Sequence, residues 1–125
     1  MAGTIVADTL THSTAGSIAT NYVVEGSLKQ WVNFNGTGTI AIRDSLNTSS
    51  LTDLDVGQYS SNFSNSFSGV NYYASGTSSN QVANSGVEIV TGVLTNYVTQ
   101  NVKNFSNNTR SDVNTVTMAC AGDLA

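Results

Sequence analysis

Residues 28–43 read LKQWVNFNGTGTIAIR, in which two short apolar alternations flank an Asn-Gly pair. Alternation with a period of two is typical of a β-strand that buries one face. Asn-Gly between such strands favours a tight hairpin turn, because that turn requires positive φ. The stretch therefore predicts a β-hairpin. Its first strand would place Leu28, Gln30, Val32 and Phe34 on one face, and its second strand would place Ile40 and Ile42 inward.

Similar alternations recur along the chain, separated by turns rich in Gly, Ser and Asn. Residues 87–102 fit either one helical face or two strands, and their Thr and Val content favours strands. We expect an all-β fold, a small antiparallel β-sandwich or barrel of about eight short strands. Besides the hairpin, the pattern predicts strands at 4–10, 21–25, 50–53, 58–63, 70–75 and 112–121, with a polar bend at 44–50.

The chain is polar but carries few charges. Ser, Thr and Asn supply 48 of its 125 residues, whereas Asp, Glu, Lys and Arg supply 12. Four basic residues are too few to neutralise a nucleic-acid backbone, and no stretch approaches the ~18 apolar residues of a membrane span. We therefore expect no nucleic-acid partner and no membrane insertion. Abundant β-branched residues and a net charge of only -4 also argue against disorder.

Few residues have the chemistry of a catalytic or zinc site. His12, the one histidine, lies in a Ser/Thr-rich segment with no activating partner nearby. Cys120, the one cysteine, is interpreted as a small buried residue of the last strand. One histidine and one cysteine cannot supply the usual nitrogen and sulfur ligands of zinc.

The carboxylates raise two further hypotheses. Asp53 and Asp55 have a spacing that can ligate Ca²⁺, but the further carboxylates of a calcium loop do not follow, so turn acids are the favoured interpretation. Glu25 and Glu88 are the pair left for glycan cleavage, which uses two carboxylates. Neither pattern is complete, and we expect no enzymatic activity, no cofactor and no metal.

Three aromatic residues are candidates for an interface or a ligand contact: Trp31, Tyr72 and Tyr73. Each could stack on a sugar ring, and each could instead pack in the core. Because successive side chains of a strand point to opposite faces, Tyr72 and Tyr73 cannot both face inward. One of the two tyrosines is therefore expected outside the core.

Residues 29–45, KQWVNFNGTGTIAIRDS, resemble a module of tail-fibre and other virion structural proteins from marine phages, including phages of cyanobacteria. The later stretch 57–63, GQYSSNF, and the C-terminal end are also similar to that family. The resemblance implies a homotrimeric protein on the tail or capsid exterior of a virion. It implies a short tail fibre or fibre tip that attaches to a host surface glycan or protein. Because the module makes up nearly the whole chain, a capsid decoration or head-fibre protein is the alternative.

Two parts of the chain are expected to have different roles. Residues 1–20 would dock on other virion proteins, and residues 21–125 would form a single β-sandwich domain. The N-terminus has neither the basic region nor the apolar region of a signal peptide, so we expect synthesis in the host cytoplasm.

Overall fold

The computed structural model describes residues 3–79 and 85–125, and β-strands dominate them. One short helix, α1, spans Thr20–Gly26 in this part of the chain. The all-β prediction is confirmed. The strands are β1 (Thr9–His12), β2 (Gly16–Ala19), β3 (Leu28–Asn35), β4 (Ala41–Leu46), β5 (Thr48–Asp55), β6 (Gln58–Phe63), β7 (Tyr73–Ser78), β8 (Ser85–Val93), β9 (Tyr97–Asn104), β10 (Thr109–Arg110) and β11 (Val116–Ala121).

Two antiparallel sheets form the sandwich. The first sheet has the strand order β4-β3-β11-β7. The second has the order β10-β9-β6-β5, and β8 also pairs with β9. Apart from the two-residue β10, this is a sandwich of eight strands, as the turn spacing predicted. The first hairpin, β1 and β2, forms a separate two-stranded sheet.

The core lies between the two sheets and follows the predicted alternation. In β3, residues Gln30, Val32 and Phe34 are buried, while the residues between them are half-buried on the outer face. Phe34 meets Tyr59 of the opposite sheet edge to face, with ring centroids 5.2 Å apart. The buried apolar residues are Val32, Phe34, Tyr59, Phe63, Phe67, Val98, Val102, Val113, Val116, Met118 and Cys120.

The strand predicted at 21–25 is wrong, because these residues belong to helix α1. No described strand pairs with this segment. A strand without a neighbour leaves its backbone groups unpaired, whereas a helix satisfies them locally. The first predicted strand, 4–10, is also displaced, since β1 begins only at Thr9.

The polar bend predicted at 44–50 is replaced by two strands that meet at Asn47. Asn47 has φ of 53°, and its side-chain amide exchanges hydrogen bonds with the backbone N and O of Asn65 at 2.6 and 3.0 Å. A single left-handed residue thus turns the chain from the first sheet into the second. Ile42, predicted inward, is exposed on edge strand β4, where the pairing with β3 shifts register between Asn33 and Phe34.

Residues 87–102 are extended, as predicted, and the break between β8 and β9 lies at residues 94–96. The strand predicted at 70–75 begins later, at Tyr73, and continues to Ser78. The last strand is shorter than predicted and begins at Val116.

A hydrogen-bonded junction joins the ends of the two sheets. The Tyr59 hydroxyl donates to Gly36 O and to Asp112 Oδ1, both at 2.7 Å, so one proton is shared between two acceptors. Gly57 N donates to the same carboxylate oxygen at 2.7 Å. The turns after β3 and β5 are therefore tied to the loop that precedes β11.

Polar side chains also point into the core. Gln30, Ser61 and Gln100 are fully buried among apolar neighbours. The Gln30 amide nitrogen donates to Thr48 Oγ1 at 2.9 Å, but neither Gln100 Nε2 nor Gln100 Oε1 has a hydrogen-bond partner within the described part of the chain. An unpaired buried polar group costs about 1–3 kcal/mol, so Gln100 weakens the core.

We expect Gln100→Met to stabilise the protein by about 1 kcal/mol, because an apolar side chain of similar length removes two unpaired polar groups. Urea unfolding followed by circular dichroism measures the change. Gln30→Met is the matched control. It should stabilise the protein less, because it also removes the hydrogen bond to Thr48. A loss of stability in Gln100→Met would contradict the view that the unpaired Gln100 amide weakens the core.

Candidate functional site

Tyr72 is half-buried and packs against the core of the sandwich. Its ring stacks on Phe67 with centroids 4.2 Å apart and meets Phe63 edge to face at 6.0 Å. Its hydroxyl donates to Leu94 O at 2.9 Å, and Tyr97 O lies 3.2 Å away. Burial raises the pKa of Tyr72 above its ordinary value. These contacts give Tyr72 a structural role that joins the start of β7 to the turn between β8 and β9.

Tyr73 points away from the core, as the opposite faces of adjacent residues require. It begins β7, at the edge of the first sheet, and 63% of its surface is exposed. It pairs with Ala121 of β11, so its ring lies beside a small side chain. Of the two adjacent tyrosines, Tyr73 is therefore the one available to a partner or ligand.

Trp31 lies on the same outer face as Tyr73, two strands away. It is half-buried and is aligned with Leu46 on one side and Ala119 on the other. Ser75 of β7 is aligned with Ala119 in turn. The small side chains of β11 and β7 leave a shallow depression of about 370 Å³ between Trp31 and β7. The structure thus brings Trp31 and Tyr73 to one surface and separates both from Tyr72.

The depression is uncharged and mostly apolar, with a few hydroxyl and amide groups at its surface. Its side chains include Asn33, Thr77 and Thr117, and the two threonine hydroxyls are hydrogen-bonded at 2.7 Å. Asn33 Oδ1 accepts a hydrogen bond from Arg43 at 3.3 Å, which orients the amide. An aromatic wall beside hydroxyl and amide groups can stack on one face of a sugar ring and hydrogen-bond to its edge.

Both arginines hold the fold together. Arg43 donates to Asn114 O at 2.7 Å, to Asn114 Oδ1 and to Thr115 Oγ1 at 3.1 Å. Arg110 donates to Gln58 Oε1 at 2.8 Å and forms an ion pair with Asp55 at 2.6 Å. The Asp55 carboxylate considered for calcium is thus paired with an arginine.

Two residues considered for catalysis, His12 and Glu25, lie on elements that do not line the depression. His12 Nδ1 accepts hydrogen bonds from the backbone of Thr14 and Ala15 at 3.2 and 3.1 Å, so it closes the turn between β1 and β2. Cys120 is buried, and burial raises its thiol pKa to about 12. Glu25 lies in α1, and the side chain of Glu88 falls outside what the structure describes.

The described residues contain neither a cluster of metal ligands nor a membrane-spanning helix. Within the described ranges, no group of three or more His, Cys, Asp or Glu side chains could hold a metal ion. The helix found in those ranges is also too short and too polar to cross a membrane.

A second candidate surface is the exposed N-terminal segment, residues 3–27, which we call the arm. It contains β1, β2 and α1, and each of its residues is exposed except Thr20, which is half-buried. The alternation at 4–10 predicts part of it, but not the pairing of β1 with β2. The pattern that could have predicted this hairpin is a pair of short alternations on either side of Ser13, Thr14 and Ala15. Its large exposed apolar side chains are Ile5, Val6, Leu10, Ile18, Tyr22, Val23 and Val24.

Comparison with protein-family models, curated proteins and solved structures found no match to this chain.

Proposed function

We propose that the protein is a virion structural protein of a phage, a short tail fibre or fibre tip that attaches the particle to the host surface. In this proposal the arm docks on other virion proteins, and the sandwich faces outward and contacts a host glycan or protein. The protein acts as a homotrimer, and its role is binding rather than catalysis. A capsid decoration or head-fibre protein is the second candidate.

The observation that carries this proposal is the combination of a self-contained sandwich with an exposed apolar arm. The sandwich buries its own core, whereas Ile5 and Val6 of the arm are 90% and 92% exposed. Exposed clusters of apolar side chains generally mark interaction sites. A module with this organisation has one part suited to assembly and another part left free for a different partner.

The surface chemistry supports an extracellular binding role. The depression beside Trp31 is uncharged and mostly apolar, with hydroxyl and amide groups beside the indole ring, a combination that suits a neutral glycan. The resemblance of residues 29–45 to virion modules points in the same direction. The arm suits a decoration protein equally well, so the location on the particle is the first question to test.

Immunogold labelling of intact particles, with an antibody against this protein, tests the location. The proposal expects gold at the tail. Gold spread over the head would favour the decoration protein instead, and particles without gold would overturn both candidates.

We expect the purified protein to compete with phage adsorption, and Trp31→Ala to weaken that competition at least about tenfold. Removing an aromatic anchor typically costs 2 kcal/mol or more of binding energy, and 1.4 kcal/mol corresponds to a factor of ten. Phe105→Ala is the matched control, because Phe105 is 60% exposed and lies in the connection between β9 and β10. Equal competition by both variants would exclude the depression as the contact, and no competition by the wild-type protein would contradict receptor binding.

A further inference from the structure

One face of the arm's hairpin, the apolar face, carries its large apolar side chains. Leu10 and Ile18 are direct cross-strand partners and therefore lie on this face, and His12 of β1, two residues from Leu10, shares it. Thr11 and Ser17 lie on the opposite face, where their hydroxyls are hydrogen-bonded at 3.0 Å. The hairpin thus separates its large apolar side chains from its hydrogen-bonded hydroxyl groups.

The apolar face continues into an open cavity of about 420 Å³. Thr20 shapes it by donating from its backbone to Asp8 O at 2.9 Å and from its hydroxyl to Ala7 O at 2.7 Å, which holds the first residues against α1. The described lining of the cavity is uncharged. It consists of Ile5, Val6, Ala7, Leu10, Thr20, Val23 and Val24.

The arm cannot be stable in this form by itself. A lone two-stranded hairpin is at best marginally stable in water, and a helix of seven residues is too short to persist without packing. No side chain in residues 3–27 is buried, so the arm gains little from the hydrophobic effect within one chain. Its ordered shape therefore requires a partner that covers the apolar face.

Two features favour other copies of this chain as that partner. First, β1 and β2 pair only with each other among the described strands, so each leaves one edge of backbone donors and acceptors open. Such edges pair readily with strands of another chain. Second, residues 3–27 contain Asp8 and Glu25 but no Lys or Arg, and the cavity lining includes neither acid. Identical arms can therefore meet on this face without placing like charges together.

We infer that the arms of three copies pack through this apolar face, with β1 of one copy beside β2 of the next. This head-to-tail pairing uses both open edges of every hairpin and closes around a threefold axis. Leu10, Ile18 and His12 then face the axis, and Thr11 and Ser17 point outward, toward any other virion protein. The homotrimer belongs to the proposed function, and the inference names the surface that forms it.

Sedimentation of the full chain at micromolar concentration tests the inference without any phage component. The wild-type protein should have three times the 13.0 kDa subunit mass. The double variant Leu10→Glu, Ile18→Glu should be monomeric, with association weakened at least 100-fold, because carboxylates would be buried at the axis. Leu54→Glu should remain trimeric, since Leu54 is similarly exposed but lies on the second sheet of the sandwich.

Thermal unfolding of the double variant checks that the sandwich is intact, as expected when the altered residues lie outside the core. Hydrogen exchange gives a second readout: β1 and β2 amides should be protected in the wild-type protein and lose protection in the double variant. A monomeric wild-type protein, or a double variant that stays trimeric, would overturn the inference. Neither result depends on adsorption or immunogold labelling, so the function and the contact surface can fail separately.

Discussion

Gly57→Ala is expected to destabilise the protein by about 4 kcal/mol or more, which places it among the largest effects of single substitutions. Gly57 has φ of +61°, where a residue with a Cβ is strained by about 1–2 kcal/mol. An added Cβ would also lie 2.6 Å from Ser111 N and 2.8 Å from Val102 O. These are backbone atoms of the junction, and they cannot move without breaking the bonds between Gly57, Val102 and Ser111.

Gly38→Ala is the matched control for this prediction. Gly38 has nearly the same φ, +60°, but an added Cβ would meet nothing within 4 Å. It should therefore cost only the backbone strain, about 1–2 kcal/mol. Urea unfolding of both variants measures the difference. Equal losses of unfolding free energy in the two variants would show that the backbone of Ser111 and Val102 does not lie close to Gly57.

Tyr59→Phe is expected to cost about 2–3 kcal/mol. The ring would still fill the core, but Gly36 O and Asp112 Oδ1 would lose the hydroxyl donor that they share. Bonds to charged groups contribute about 1.5–3 kcal/mol. Tyr73→Phe is the control, since it removes the same atom from an exposed ring, and it should change stability by less than about 0.5 kcal/mol. Similar losses in the two variants would contradict the role of the junction.

The same hydroxyl makes stability depend on pH. Burial, and then the hydrogen bond and charge of Asp112, raise the pKa of Tyr59 above its ordinary value near 10. The pKa of Tyr59 is higher in the folded protein than in the unfolded chain. The stability that its neutral hydroxyl contributes is therefore fully present below about pH 10 and is lost as pH rises further. In that range each such group lowers stability by about 1.4 kcal/mol per pH unit. The free energy of unfolding, measured from pH 9 to 11.5, should therefore fall more steeply for the wild-type protein than for Tyr59→Phe. Parallel curves for the two proteins would refute this role of the Tyr59 hydroxyl.

Local pattern was sufficient for much of the fold. The alternation identified the strands β3 and β6, and it placed Gln30, Val32 and Phe34 of β3 on one face, because a period of two is a property of neighbouring residues. The adjacency of Tyr72 and Tyr73 likewise required one of them to lie outside. Pattern alone gave the wrong state at 21–25, since β-branched residues form a strand only where another strand is available to pair.

What the amino-acid sequence determined by itself was therefore the all-β class, the alternating core and the uncharged polar surface. Tertiary structure alone decided that Tyr72, and not Tyr73, packs against the core and that Trp31 and Tyr73 share a face. It also decided the junction, in which Tyr59 and Asp112 are 53 residues apart in the chain. The physical reason is the sequence separation of the residues involved. Strand patterns depend on adjacent residues, whereas these contacts depend on how the strands are ordered in two facing sheets.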